Sequence, residues 1–176
     1  ILNAKELKQV SLQLSWFNQF QFAGYFIGKK KGFYEDLGLD LKIKEFSFGI
    51  DVINEINSNK ADFGIYRETL ILQRSNGKKV VALYALFQET PLILLSLKKS
   101  NINSVKDFKN KKIMITKDDS SEISIKAMMN SKNIKNKDLN FINHSHEIND
   151  LINKNTDIIS AYISKAPYTL DEKGIE

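Results

Sequence analysis

The stretch from Trp16 to Leu39, WFNQFQFAGYFIGKKKGFYEDLGL, decides how this chain is read. It follows Val10-Ser-Leu-Gln-Leu14, in which apolar and polar residues alternate as they do on a half-buried strand. Four aromatics (Trp16, Phe17, Phe20, Phe22) then stand among Asn18, Gln19 and Gln21, just before a helical pattern. A strand ending in aromatics and amides ahead of a helix is how an open α/β sheet builds a small-molecule site, outside the carboxyl ends of its strands. On spacing alone the same residues read equally well as a helix whose broad apolar face is core.

The chain has 176 residues and is 42% hydrophobic, enough for one large domain or two small lobes with a real core. No apolar run reaches the ~18–20 residues of a membrane span. The first residues, Ile1-Leu-Asn-Ala-Lys5, do not form a signal peptide, so an exported form would have lost one. The net charge is +5, but nearly all of it is lysine; Arg67 and Arg74 are the only arginines. Arginine is the residue that reads guanine edges and forks onto phosphate, so nucleic acid is not the expected partner. There is no cysteine, which removes disulfides, thiolate metal sites and a cysteine nucleophile together. His144 and His146 are the only histidines. On a strand they would share a face, but neither an HExxH pattern nor a carboxylate cluster accompanies them, and no metal is expected.

Along the chain, strand and helix patterns alternate. Strands are expected at 10–14, 39–46, 61–66, 80–87, 112–116, 139–143 and 157–163. Helices are expected at 22–37 (with Gly38 as its stop), 50–59, 69–75, 105–108, 120–131 (Ser120 or Ser121 as N-cap), 147–153 and 167–173. Val80 to Phe87 is apolar enough to suit a strand buried on both faces of a parallel sheet. After Pro91 comes a second apolar run, Leu92-Ile-Leu-Leu-Ser-Leu97, and the βα rhythm restarts. The expected organisation is a first lobe at 1–92, a hinge strand at 93–98 and a second lobe at 99–176, with a cleft between the lobes.

The loops after the strands carry aromatics, hydroxyls, amides and carboxylates suited to a small, planar, polar molecule. Asp118-Asp-Ser-Ser-Glu122 opens a helix and could favour an anion, unless its own aspartates satisfy the dipole. Tyr66-Arg67-Glu68-Thr69 offers a cation and an anion that could equally pair with each other. Trp16 is the sole tryptophan, either core or a stacking platform. No Ser-His-Asp order, phosphate-cradling loop or close carboxylate pair stands out.

The run VSLQLSWFNQFQFAGYFIGKKKGFYEDLGLDLKI resembles the start of the type II periplasmic solute-binding proteins of the thiamine-pyrimidine-synthase-like family. Ala61-Asp-Phe-Gly64 with Gly77-Lys-Lys-Val-Val-Ala82, Phe87-Gln-Glu-Thr-Pro-Leu92, and Ser160-Ala-Tyr-Ile-Ser-Lys-Ala-Pro-Tyr168 resemble later blocks in the same order. The resemblance implies an α/β fold of mostly parallel sheets, two-lobed, with ligand held between the lobes. The QFQFAGY block is most similar to extracytoplasmic sensor domains fused to bacterial kinases and diguanylate cyclases. The expected role is therefore a periplasmic ligand-binding sensor domain, tethered to the inner membrane through a signalling module. The alternative is the receptor of an ABC importer, working with its permease on a pyrimidine, thiamine precursor or related molecule. Fungal relatives are enzymes that use a Cys-rich motif; this chain has no cysteine, and neither enzyme activity nor a cofactor is expected.

With the loop positions, the resemblance marks Trp16, Phe20, Phe22, Tyr66 and Tyr162 as rings lining the ligand. Arg67, Glu68, Gln88, Asp119 and Ser120 are the expected polar contacts. Two departures from the family pattern accompany this. Lys165-Ala166-Pro167 stands where many members have Asn-Glu-Pro. The chain also reaches Glu176 before the segment that returns to the first lobe, so an incomplete first lobe and a homodimer or swapped partner are expected.

Overall fold

The computed structural model describes residues 6–116 and 123–176. The described residues up to Leu83 form one compact unit and those from Tyr84 onward a second.

The first unit is built on β1 (Lys8–Gln13), the middle strand of a three-stranded sheet. It pairs in parallel with β2 (Leu39–Lys44) along its whole length and with β3 (Phe63–Gly64) at its carboxyl end. Parallel neighbours need crossover helices. The first crossover holds a 3-10 turn at Phe20–Phe22, then α1 (Ala23–Lys30) and α2 (Phe33–Asp36). The single helix expected at 22–37 is thus broken in two. Gly32 causes the break: its φ of 77° is left-handed, which stops α1 and starts α2. Val10, Leu12 and Leu14 point from β1 into a core with Phe22 and Leu41. The Lys29 ammonium reaches back to donate to the Leu41 carbonyl.

The second crossover is α3 (Val52–Asn57). Asp51 caps it, its carboxylate accepting from the Ile53 and Asn54 N–H groups at 2.9 and 3.3 Å. α3 lies so close to β3 that a Cβ on Gly64 would stand 2.5 Å from Val52 Cγ1. Asp62, just before β3, is tied to β1 by the Ser11 hydroxyl and N–H, both at 2.8 Å. The hydroxyl, then the N–H, holds the Asp62 carboxyl below the usual carboxylate range. α4 (Leu70–Ser75) completes the unit.

One expectation fails here. Val80–Phe87 is not a strand. Val80 is buried, but Val81, Leu83, Tyr84, Leu86 and Phe87 are exposed. Apolar composition makes a strand only where a neighbour offers a hydrogen-bonding edge, and no described segment pairs with this one.

The second unit holds a four-stranded sheet in the order β4-β7-β5-β6. β5 (Lys112–Ile115), β6 (Asn140–Asn143) and β7 (Ile158–Tyr162) are parallel to one another; β4 (Leu92–Leu95) runs antiparallel to β7 at one edge. Three residues of the expected 93–98 segment therefore lie within β4. On one face Phe108, Ile113, Ile115 and Ile158 pack on Ile125 and Met129 of α5 (Ile123–Ser131). On the other, Met114 and Ile159 pack on Leu151 of α6 (Asn149–Ile152) and Leu170 of α7 (Ala166–Asp171). The proposed N-cap of the 120–131 helix lies outside the described residues.

Two outcomes follow. Gly64→Ala forces a methyl against Val52 and costs about 1–3 kcal/mol of stability; denaturant unfolding measures it, and adding Val52→Ala recovers part of the loss. The Ser11–Asp62 contribution is full above the ordinary aspartate range, about pH 4, and is lost as acid protonates Asp62 below it. Ser11→Ala therefore flattens the acid limb of a stability profile.

Candidate functional site

Parallel pairing brings the carboxyl ends of β1, β2 and β3 to one edge of the first sheet. Rings gather there. Trp16 and Phe17 follow β1; Phe46 and Phe48 follow β2. Trp16 stacks on Phe46 with centroids 5.3 Å apart, and Phe17 meets both edge-on at 5.5 and 5.2 Å. Phe48 closes the group, 6.3 Å from Trp16, 5.3 Å from Phe17 and 6.0 Å from Phe46. These are favourable aromatic geometries. The inner rim of Trp16 touches the core, while Phe17 and Phe48 face solvent at 40% and 70% exposure. Asn18 donates to Glu45 Oε1 at 2.6 Å, tying the two loops together.

Beneath the rings sits Gln13, fully buried at the end of β1. Its Nε2 donates to the carbonyls of Leu14, Lys44 and Glu45 at 3.1, 3.4 and 3.2 Å. Three carbonyls accept only from an N–H, which fixes the amide's orientation. Gln13 thereby pins the start of the β2 loop that carries Phe46 and Phe48. Its Oε1 is buried and accepts from no described residue.

The sequence-expected residues fare differently. Trp16 lies in the ring cluster. Phe20 stands in the 3-10 turn at 88% exposure, whereas Phe22 is a core ring at 3%. Tyr66 follows β3, half-buried, its hydroxyl accepting from Gln73 Nε2 at 3.3 Å. Arg67 and Glu68 come next; their carbonyls accept from Leu70 and Ile71 as α4 begins. Gln88 is exposed in the second unit, and its amide donates to the Ala85 carbonyl at 3.0 Å. Tyr162 ends β7, half-buried and opposite Leu92. Asp119 and Ser120 lie outside the described residues. Phe46, Phe48 and Gln13 were not anticipated as site residues. The available signal was Phe46-Ser-Phe48 at a strand end, and Gln13 standing between Leu12 and Leu14.

At the carboxyl end of β6, His144 Nε2 lies 2.8 Å from the Ser160 carbonyl and its Nδ1 accepts from the His146 N–H at 2.8 Å. Both ring nitrogens are thus engaged within the protein. Among the described residues, no group of three or more His, Asp or Glu side chains is placed to hold a metal ion. No described helix is long and apolar enough to cross a membrane.

A family model described as NMT1/THI5 like matches residues 19–176. A protein of Haemophilus influenzae whose name assigns it to thiamine biosynthesis is 27% identical over 141 residues, 80% of this chain and 44% of that one. A 4-amino-5-hydroxymethyl-2-methylpyrimidine phosphate synthase of Legionella pneumophila is 27% identical over 60% of this chain and 34% of its own. The chain thus spans less than half the length of these relatives. Among solved structures, a periplasmic sulfonate-binding protein SsuA from Methylobacillus flagellatus superposes with TM-score 0.72 at 22% identity, over 97% of this chain and 55% of that one. The aliphatic sulphonate binding protein SsuA of Escherichia coli gives 0.70 at 16% identity, over 96% and 59%. The fold is that of the two-lobed periplasmic binding proteins.

Gln13→Leu leaves the buried Leu14 carbonyl without its Gln13 donor and cuts the tie to Glu45, while the Lys44 carbonyl keeps the Leu14 N–H; the loss is about 1–3 kcal/mol. The freed Phe46–Phe48 loop then leaves Trp16 wetter. As Trp16 is the only tryptophan, a red shift of the intrinsic emission in the folded variant reads this directly.

Proposed function

This chain belongs to the NMT1/THI5-like family, and we propose that it is an extracytoplasmic small-molecule-binding domain rather than an enzyme. Ligand is taken on the loops at the carboxyl edges of the sheets. The observation that carries this reading is the Trp16–Phe17–Phe46–Phe48 cluster. It places partly exposed rings where open α/β sheets accept ligands, on loops pinned by a buried amide. Phe17, Phe48 and Phe20 supply stacking area, and Asn18, Tyr66, Arg67 and Glu68 supply the polar contacts. Gln88 and Tyr162 belong to the second unit and are proposed there as contacts in their own right.

The domain acts as the periplasmic sensor of a membrane-tethered signalling protein, the role suggested by the QFQFAGY block. A second reading, receptor of an ABC importer, is favoured by the solved neighbours, which are described as transporter binding proteins. A membrane helix followed by a kinase or cyclase in the same gene supports the first; a permease gene beside it supports the second.

A thermal-shift screen with pyrimidines, sulfonates, amino acids and aromatic acids tests the binding role. A ligand at a hundred times its Kd stabilises by ~2.7 kcal/mol. Trp16→Ala and Phe48→Ala should each remove the shift, and Phe48→Ala, at an exposed ring, leaves the unliganded midpoint nearly unchanged. A shift that survives both substitutions overturns this site. Incubation with pyridoxal phosphate is the check on the synthase alternative: a Schiff-base absorbance band would replace the binding role with a catalytic one.

A further inference from the structure

The turn after β6 is held by a histidine whose protonation state can be deduced. The His146 N–H can only donate, so His144 Nδ1 carries a lone pair. The Ser160 carbonyl can only accept, so His144 Nε2 carries the hydrogen. His144 is therefore a neutral imidazole in its Nε2–H form, with both nitrogens used. The His146 backbone sits at φ +66°, a left-handed conformation that a side chain other than glycine adopts at a cost. The His146 ring lies flat on the His144 ring, 4.8 Å away with 13° between planes. Ser145 buttresses the turn, accepting from the Glu147 N–H at 3.2 Å. Its hydroxyl lies within reach of Met114 Sδ at 3.5 Å and also bonds the Asp150 carboxylate, the stronger acceptor of the two.

We propose that residues 144–147 form a pH-sensitive latch: neutral His144 closes the turn, and a proton on its Nδ1 opens it. The physical reason is local. A protonated Nδ1 presents a hydrogen to the hydrogen of the His146 N–H at a separation that admits only one. The bond breaks, the left-handed turn loses its support, and the stacked ring is released. Among the described residues, the following groups meet His144. From α6, Asp150 acts on it electrostatically; its carboxylate is already held below the usual range by Ser145 and Asn155, with a smaller pull from His144. From β7 it meets the Ser160 carbonyl, and the turn itself carries His146 and Glu147. Asp150 favours the added charge, so the opened form keeps an electrostatic partner while the turn loses its bond.

The test needs no ligand, so its failure is separable from failure of the binding role. Imidazole nitrogen spectra of the full chain report the tautomer, and exchange of the His146 amide, corrected for its intrinsic rate, reports the latch. The expected result is an Nε2–H tautomer in the neutral ring and an amide protection that drops about fivefold, one neutral hydrogen bond's worth, as the same spectra show the ring taking up its proton. His144→Asn keeps an acceptor for the residue two ahead, as in an Asx turn, but does not titrate. In that variant the protection stays flat with pH. His146→Ala leaves the pH dependence in place, because the backbone N–H and not the ring takes part. An Nδ1–H tautomer in the neutral ring, protection that ignores the titration of His144, or a pH dependence that persists in His144→Asn overturns the latch.

Discussion

The pairing of β1 on both of its edges, in parallel, is the constraint from which the first unit follows. A strand flanked in parallel on both sides cannot be reached by tight hairpins. Every connection must cross over the sheet, which puts α1 and α2 on the way to β2 and α3 on the way to β3. The same pairing delivers every carboxyl end to one edge. Trp16 and Phe17 meet Phe46 and Phe48 because β1 and β2 run in register from Lys8–Leu39 to Gln13–Lys44, so the residues just past each strand emerge side by side. The ring cluster is thus a consequence of register, not of any sequence motif linking residues about thirty apart.

Gln13 converts that register into a fixed loop. Burying an amide is costly unless its groups are bonded, and this one donates to the carbonyl of Leu14 and, across the sheet, to those of Lys44 and Glu45 where β2 gives way to its loop. A leucine there would fill the space without holding the chain. The amide's other end, Oε1, is buried without a described donor, which is the more expensive half of the arrangement. A polar group kept at such a cost at the end of the strand that leads into Trp16 and Phe17 is better explained by positioning than by packing.

Much of the fold was legible because it rests on local patterns. Alternation in Val10–Leu14 and Leu39–Lys44 marked the strands, and Gly38 marked the stop before β2. Two readings went wrong, one for a local reason and one for a non-local one. Residues 22–37 have a continuous apolar face, but Gly32 takes a left-handed backbone and the face is carried by two short helices instead of one. Val80–Phe87 has the composition of a central strand, and composition cannot supply a neighbour; without a hydrogen-bonding edge most of its apolar side chains beyond Val80 stay exposed. The site was half legible. Trp16 could be suspected from its place after a strand. That Phe22 is core while Phe20, two residues earlier, is nearly all exposed could not be read, since both lie in one 3-10 turn whose phase the sequence does not set.

The same logic separates the rings that build from the rings that recognise. Phe22 has lost its solvent to Val10, Leu12, Leu14 and Leu41, and its energy is already committed to folding. Phe17 and Phe48 have edge-to-face partners yet keep much of their surface in water. A ring in that position gives up little of its burial energy to the fold, at roughly 25 cal/mol per Å² of apolar surface, and so retains it for whatever next covers it. Trp16 bridges the two populations, touching the core on one side and stacking on Phe46 on the other. Trp16 thus joins the rings at the sheet edge to the same core that sets the register of β1 and β2.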